Sequence, residues 1–246
     1  MKADDVARLE RATVAGVAPR RVVERDGWIL GLDAGPMGRA RSAAPLAHEP
    51  PPPVTPALAK AYAGEGLPAS FRVPDLAPLS PVIRHLAEAG YRPSEPTWMM
   101  TAGSGGVSSF ANPGVGGPWP VLLAGPDEDW VATFCGPGFN ADEGTRRVAQ
   151  LSRSPGARFA AVREDGRTLA VGVLSCAGGV GGIHGMRTAP DQRGRGHAGR
   201  ILAAFARQAA AWGLEDLVLQ VEAGNPARRL YRAAGFTELW RYWYWR

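Results

Sequence analysis

Met186-Arg-Thr-Ala-Pro-Asp-Gln-Arg-Gly-Arg-Gly-His-Ala-Gly-Arg-Ile-Leu-Ala-Ala-Phe205 sets a glycine-rich turn between a strand and a helix. Gly194, Gly196 and Ala198 carry little or no side chain, so a ligand can approach the backbone closely there. The first N–H groups of the helix that follows have no intrahelical partner, and the helix dipole adds positive character at that end. A diphosphate is the natural occupant, because both effects favour an anion. Ile201, Phe205, Gln208 and Trp212 recur at near-helical spacing and Gly213 stops the helix, so the turn is aimed at one fixed point.

The surroundings of this junction predict a mixed α/β (α+β) order. Upstream lie a helix over 142–152, a strand over 158–163, an Asp165-Gly166 hairpin turn, and strands over 168–177 and 182–188. Downstream come a strand over 217–222, a helix over 226–234 and a strand over 238–244. That last strand, within Trp240-Arg-Tyr-Trp-Tyr-Trp-Arg246, has aromatics on both faces, as a strand between two helical layers requires. The first hundred residues predict helices over 5–14, 55–64 and 80–89 and strands over 27–32, 70–73 and 97–101. A Pro-rich loop, 47–56, falls among them. The glycine- and proline-rich stretches 102–107 and 112–120 mark the domain boundary, giving an N-terminal domain 1–110, a linker 111–126 and a second domain 127–246.

The two halves echo each other. At a constant offset of 145, Pro81, Arg84, Ala89, Gly90 and Trp98 correspond to Pro226, Arg229, Ala234, Gly235 and Trp243, and Tyr91 to Phe236. A helix, a glycine stop and a strand recur, which is the pattern of a duplicated unit.

Arg193-x-x-Gly196-x-Ala198 resembles the Arg/Gln-x-x-Gly-x-Gly/Ala signature of the general-control-related N-acetyltransferase (GNAT) superfamily. Gln220-Val-Glu-Ala-Gly-Asn-Pro-Ala-Arg-Arg-Leu-Tyr-Arg-Ala-Ala-Gly-Phe236 resembles its closing block, at the expected separation. The N-terminal half, with Asp26-Gly-Trp-Ile-Leu30 and Arg39-Ala-Arg-Ser42, is similar to a bacterial subgroup in which a degenerate GNAT-like half precedes the active one. Arg41 stands where that subgroup has Asn. The resemblance implies the acyl-CoA N-acyltransferase fold, a mixed central sheet flanked by helices, in tandem. It also implies acetyl-CoA as cosubstrate. Backbone groups of Met186, Arg187 and Thr188 would pair with the pantetheine arm, and the N–H groups of Arg193, Gly194, Arg195, Gly196, His197, Ala198 and Gly199 would hold the diphosphate. Met186 would also polarise the thioester carbonyl, Asn225 would bind near the pantetheine, and Tyr231 would sit beside the sulfur.

Acetyl transfer to an amine needs a base for the amine, stabilisation of an oxyanion and a proton for the departing thiolate. Tyr231 suits the third task, since a phenol matches a thiolate in basicity. Glu222, ending a strand three residues before Asn225, is the candidate base, with His184 a weaker one. The echo has Leu86 in place of Tyr231 and no Gly-rich loop before residue 100, so one cofactor site per chain is expected.

The 246 residues are 45% hydrophobic and 21% charged, ordinary for a soluble globular protein that can build its own core. The net charge of +5 is scattered, which favours a small anionic ligand over nucleic acid. Cys135 and Cys176 have neither zinc-site nor disulfide spacing and fall outside the motifs, so a reducing cytoplasm, no metal and direct attack without an acyl-cysteine are expected. No signal peptide or membrane span is readable. The expected partner is a small-molecule or peptide amine. Gly194-Arg-Gly-His-Ala-Gly199 also satisfies Gly-x-Gly-x-x-Gly, so a dinucleotide-binding (NAD-type) fold is the rival, and an acyl-CoA-binding regulator without catalysis a third reading.

Overall fold

The computed structural model describes residues 2–113, 116–137 and 140–246, so residues 114 and 115 of the Gly/Pro-rich linker lie outside the described residues. The chain opens with α1 (Ala3–Gly16), then β1 (Arg21–Arg25) and β2 (Trp28–Leu32), a 3-10 turn at Gly38–Arg41, and the short β3 (Ala43–Pro45). Next come α2 (Pro56–Ala63), β4 (Phe71–Pro74), α3 (Ser80–Glu88) and β5 (Pro93–Gly103). The glycine-rich 102–107 segment is largely a short helix, α4 (Ser104–Ser108), packed on the helix of the Gly-rich motif. Then follow β6 (Val121–Leu123), α5 (Glu128–Phe134) and α6 (Ala141–Leu151), and the three-stranded run β7 (Arg158–Glu164), β8 (Arg167–Ala177) and β9 (Val180–Thr188). The motif helix α7 (His197–Ala211), β10 (Asp216–Glu222), α8 (Arg228–Ala233) and β11 (Thr237–Trp245) complete the chain.

The eleven strands of the described residues join in one sheet, in the order β1-β2-β3-β4-β11-β5-β10-β9-β8-β7-β6. The halves trade their last strands. β11 lies between β4 and β5, and β5 lies between β11 and β10. At the centre Thr97 pairs with Tyr242, which are 145 residues apart, the offset of the sequence echo. An antiparallel pair that is its own image under the offset lies on a pseudo-twofold axis, and the rest of the sheet obeys it: β4, β3, β2 and β1 answer β10, β9, β8 and β7. The helix stops agree to the bond. Gly90 and Gly235 both have φ 93°, and Tyr91 and Phe236 donate from their amides to Leu86 and Tyr231 at 3.0 Å. The duplicated unit read from the sequence is present.

Among the described strands only β3–β4 and β9–β10 pair in parallel. A dinucleotide-binding fold needs a run of parallel neighbours, and this topology removes that rival.

Side chains alternate between two helical layers. On one face α7 and α8 cover β5 and β7 to β10, and α2 and α3 cover the N-terminal strands. On the other, α1 crosses the centre and α5 and α6 cover β7 and β8. β11 serves both, with Trp243 and Trp245 toward the α2–α3 core and Trp240, Tyr242 and Tyr244 toward α1. In the N-terminal half, Leu58, Tyr62 and Leu86 fill the position that α7 and Tyr231 occupy in the other half, and Leu86 is fully buried.

Candidate active site

β9 and β10 pair only from Val180–Asp216 to Ile183–Leu219, although β9 runs on to Thr188 and β10 to Glu222. Past that point the strands diverge. A bulge on β9, where the register against β8 shifts between His184 and Arg187, turns its end away. Met186, Arg187 and Thr188 therefore lie past the end of the β9–β10 ladder. An extended arm with amide groups fits such a strand end as an added strand would.

At the mouth of this gap α7 begins on Gly196, held in the left-handed region (φ 78°, ψ 1°) with no side-chain cap. Its first amides are left open, which is the anion-binding arrangement anticipated for this loop. A cleft of about 980 Å³ runs from Thr188 past Arg193, Gly194, Gly196, His197, Ala198 and Gly199 to Asn225 and Tyr231. His197 Nε2 is buried without a partner at the same helix start. Arg195 is the exception among the expected loop residues, since it does not line this cleft. Its carbonyl instead accepts from Arg200 Nη2 at 3.1 Å, and the same guanidinium reaches His197 Nδ1 at 2.8 Å and the Gly116 carbonyl. Arg200 thus staples the loop from behind, a role no motif signals.

A second cleft, about 410 Å³, opens between the 3-10 turn, β5, β11 and the ends of β9 and β10. Met186, Arg187, Glu222, Asn225 and Tyr231 line both clefts. Asn225 Oδ1 accepts from the Ala227 amide at 2.9 Å, fixing the entry to α8. Tyr231 on α8 packs edge-on against Phe236, and burial pushes its phenol up to about 12, so it stays protonated. Glu222 is exposed to the clefts and forms no ion pair among the described residues.

His184 is buried beneath α1. Its Nδ1 faces Arg39 Nη1 at 3.3 Å and its Nε2 faces Ser175 Oγ at 3.0 Å. A guanidinium only donates, so Nδ1 is the acceptor and the ring is neutral. Burial, then Arg39, holds its pKa well below the usual value. Both ring nitrogens are thus engaged, and His184 orients Arg39 rather than acting as a base. Arg39, Gln220, Tyr242 and Tyr244 also line the second cleft and were not singled out as site residues beforehand. Among the described residues no group of three or more His, Cys, Asp or Glu could hold a metal ion, and no helix is long and apolar enough to cross a membrane.

A mixed sheet splayed at one parallel pair, with an uncapped helix start at the opening, is the fold of the GNAT N-acyltransferases. Residues 127–236 match the model of the Acetyltransferase (GNAT) family, bearing out the resemblance read from the two motifs. Acyl transfer is the chemistry of that family. No curated protein matches the sequence. Among solved structures, a GCN5-related N-acetyltransferase from Kribbella flavida is 20% identical, with 98% of this chain and 94% of that chain covered and a TM-score of 0.70. A GNAT-family protein from Novosphingobium aromaticivorans is 24% identical, with 97% of each chain covered and a TM-score of 0.58. A tandem GNAT protein from the clavulanic acid biosynthesis pathway is 14% identical over 100% of this chain and 96% of its own, with a TM-score of 0.60. These likenesses extend the fold over both halves.

Proposed function

We propose that the chain transfers an acetyl group from acetyl-CoA to a primary amine by direct attack with both substrates bound. The observation that carries this is the meeting of the two clefts at Met186, Arg187, Glu222, Asn225 and Tyr231. In this reading residues 127–246 form the catalytic domain. The N-terminal half, residues 1–110 joined through 111–126, is a related unit that has lost its own site.

Acetyl-CoA supplies an activated acetyl group and a thiol leaving group. The open amides from Arg193 to Gly199 hold its diphosphate, and the end of β9 at Met186, Arg187 and Thr188, beyond its pairing with β10, aligns its arm, the Met186 amide polarising the thioester carbonyl. Asn225, its Oδ1 engaged with the α8 start, offers its amide N–H groups to the same arm. Glu222 takes the proton from the acceptor ammonium, directly or through water, so that the nitrogen lone pair can form the new C–N bond. Tyr231 Oη holds its proton until the C–S bond breaks and then gives it to the sulfur, and the second proton shed by the nitrogen as the amide forms restores the phenol. Neither cysteine lines the junction, and both are free thiols, which supports attack without an acyl-enzyme and a reducing cytoplasm.

Calorimetric titration of the chain with acetyl-CoA and separately with NAD tests this reading. Micromolar binding of acetyl-CoA, abolished by Gly196→Trp and followed by thiol release in the presence of amines, is expected. Binding of acetyl-CoA with no acyl transfer to any amine would leave a cofactor-binding regulator, and binding of NAD alone would remove the reading altogether.

A further inference from the structure

The 410 Å³ cleft is built for more than an amine. Five arginines and three glutamates line it. Glu143 is bonded to Arg147 at 2.6 Å, and Glu95 to Arg246 at 2.8 Å. Of the four ionic groups outside these pairs, Arg187 donates to the Gly136 and Pro137 carbonyls and Arg41 is solvent-exposed, which leaves two facing the cleft centre. One is Glu222, beside Tyr231. The other is Arg39, which has no carboxylate partner among the described residues.

Arg39 is held with care for a residue that neutralises nothing. Its Nη1 donates to Gln220 Oε1 and faces the neutral His184 ring. Gln220 is itself fixed, with Nε2 donating to Thr13 Oγ1 at 3.0 Å. The turn carrying Arg39 sits so close to its neighbours that two glycines are required. A Cβ on Gly38 would stand 2.7 Å from Tyr244 Cζ, and one on Gly31 would stand 2.6 Å from the Ala40 carbonyl oxygen. Both of Arg39's side-chain contacts leave from Nη1, so the Nε–Nη2 edge makes no bond among the described residues. That edge is the fork that binds a carboxylate with two parallel hydrogen bonds.

The distance between the two charges sets the ligand. Arg39 is tied to Gln220, and Gln220 and Glu222 are alternate residues of β10, so they share a face about 7 Å apart along the strand. In an α-amino acid the nitrogen and the carboxyl carbon are about 2.5 Å apart, and a hydrogen bond of roughly 3 Å at each end gives a span of the same order. We propose that the acceptor is a free α-amino acid, its carboxylate on the Arg39 fork and its amine toward Glu222. This rests on the acetyl-transfer reading and names its substrate class. The surplus of arginine also disfavours polycationic amines as acceptors.

The test is thiol release and product mass with acetyl-CoA and a panel of free L-amino acids, beside the same compounds as C-terminal amides. The amides have less basic amines, so more of each is neutral near pH 8, which biases the comparison against the expectation. The free acids should be preferred about 10- to 100-fold in kcat/KM, the worth of a charge-assisted hydrogen-bonded pair. Arg39→Gln should bring them down to the level of the amides, mainly through KM. Arg39→Lys, which keeps the charge but not the fork, should recover only part of the preference. Calorimetry with acetyl-CoA on the same protein separates the two levels. No binding of acetyl-CoA sinks the acetyl-transfer reading itself. Binding with amides acetylated as well as free acids, or with neither set acetylated, sinks the amino-acid proposal alone, and needs no variant to do so.

Discussion

Gly196→Ala asks whether the start of α7 is an anion site or only a turn. Gly196 sits at φ 78°, where an L side chain costs about 1–2 kcal/mol. Its Cβ would meet nothing closer than Arg200 Nη1 at 3.4 Å, so the cost is one of backbone conformation rather than collision. In a chain of this size that lowers the melting midpoint by about 2–8 °C. If the loop relieves the strain by rotating, an amide leaves the diphosphate, and a hydrogen bond to a charged group is worth about 1.5–3 kcal/mol, or roughly 10- to 100-fold in Kd. Gly213→Ala is the control. It lies just past the other end of the same helix at φ 72°, with open space around its Cβ, so the same strain arises far from the proposed ligand. Calorimetry with acetyl-CoA and thermal melting on both variants should show similar melting losses but weakened binding in Gly196→Ala alone. Equal Kd values in the two variants would refute the assignment of the diphosphate to this loop.

Tyr231→Phe removes a hydroxyl that has no hydrogen-bond partner among the described residues. Melting should therefore change little while kcat falls about 10²- to 10⁴-fold, and a loss under tenfold would take the proton-donor role from Tyr231. The buried pair Glu10–Arg72, 2.5 Å apart, links α1 to β4. Arg72→Met alone should cost about 3–5 kcal/mol by stranding the carboxylate, and adding Glu10→Leu should restore most of it, as read from denaturant midpoints. Burial holds His184 well below 6.5 and His48 down at about 4. The unfolded chain thus takes protons near pH 6.5 that the folded chain refuses. Stability is full above pH 6.5 and is lost as pH falls toward 4, with a slope up to about 1.4 kcal/mol per pH unit for each group. Unfolding free energies that stay flat between pH 7 and 5 would contradict this. A fragment of residues 127–246 should fail to give a cooperative melt, because β11 pairs only with β4 and β5 of the other half.

The readable parts of the sequence were those with local chemistry. Asp165-Gly166 takes positive φ at both residues and makes the anticipated hairpin. Asp26-Gly27 does the same between β1 and β2, yet β1 escaped notice because Arg21–Arg25 is mostly exposed and shows no apolar alternation. β3 and β6 are three residues each, too short for periodicity to register. α5 carried a signal in Asp127, whose side chain accepts from the Trp130 amide at 2.9 Å, but its seven residues hide the pattern. Met186, Arg187, Glu222, Asn225 and Tyr231, which line both clefts, could be picked out as candidates because they flank one loop and one strand. Arg39 was not, since its partners Gln220 and His184 lie 181 and 145 residues away.

That distance follows from the strand exchange. Two separate units would each close their own sheet, and a cleft beside β10 would be bordered by the C-terminal half alone. With β5 between β10 and β11, the wall of the second cleft takes Glu95 and Thr97 from the first half and Tyr242 and Tyr244 from the second. The β2–β3 turn, at the place the pseudo-twofold relates to the β8–β9 turn, then carries Arg39 against β11 and the end of β10. Without a Gly-rich loop of its own before residue 100, the first unit is under a different constraint. Its core is packed where the second unit is open, and a solid first unit is what holds an uncompensated arginine at a fixed distance from Glu222. On the acetyl-transfer reading proposed above, the first half would form one wall of the acceptor site, and changes in its 3-10 turn should act on acceptor choice rather than on acetyl-CoA.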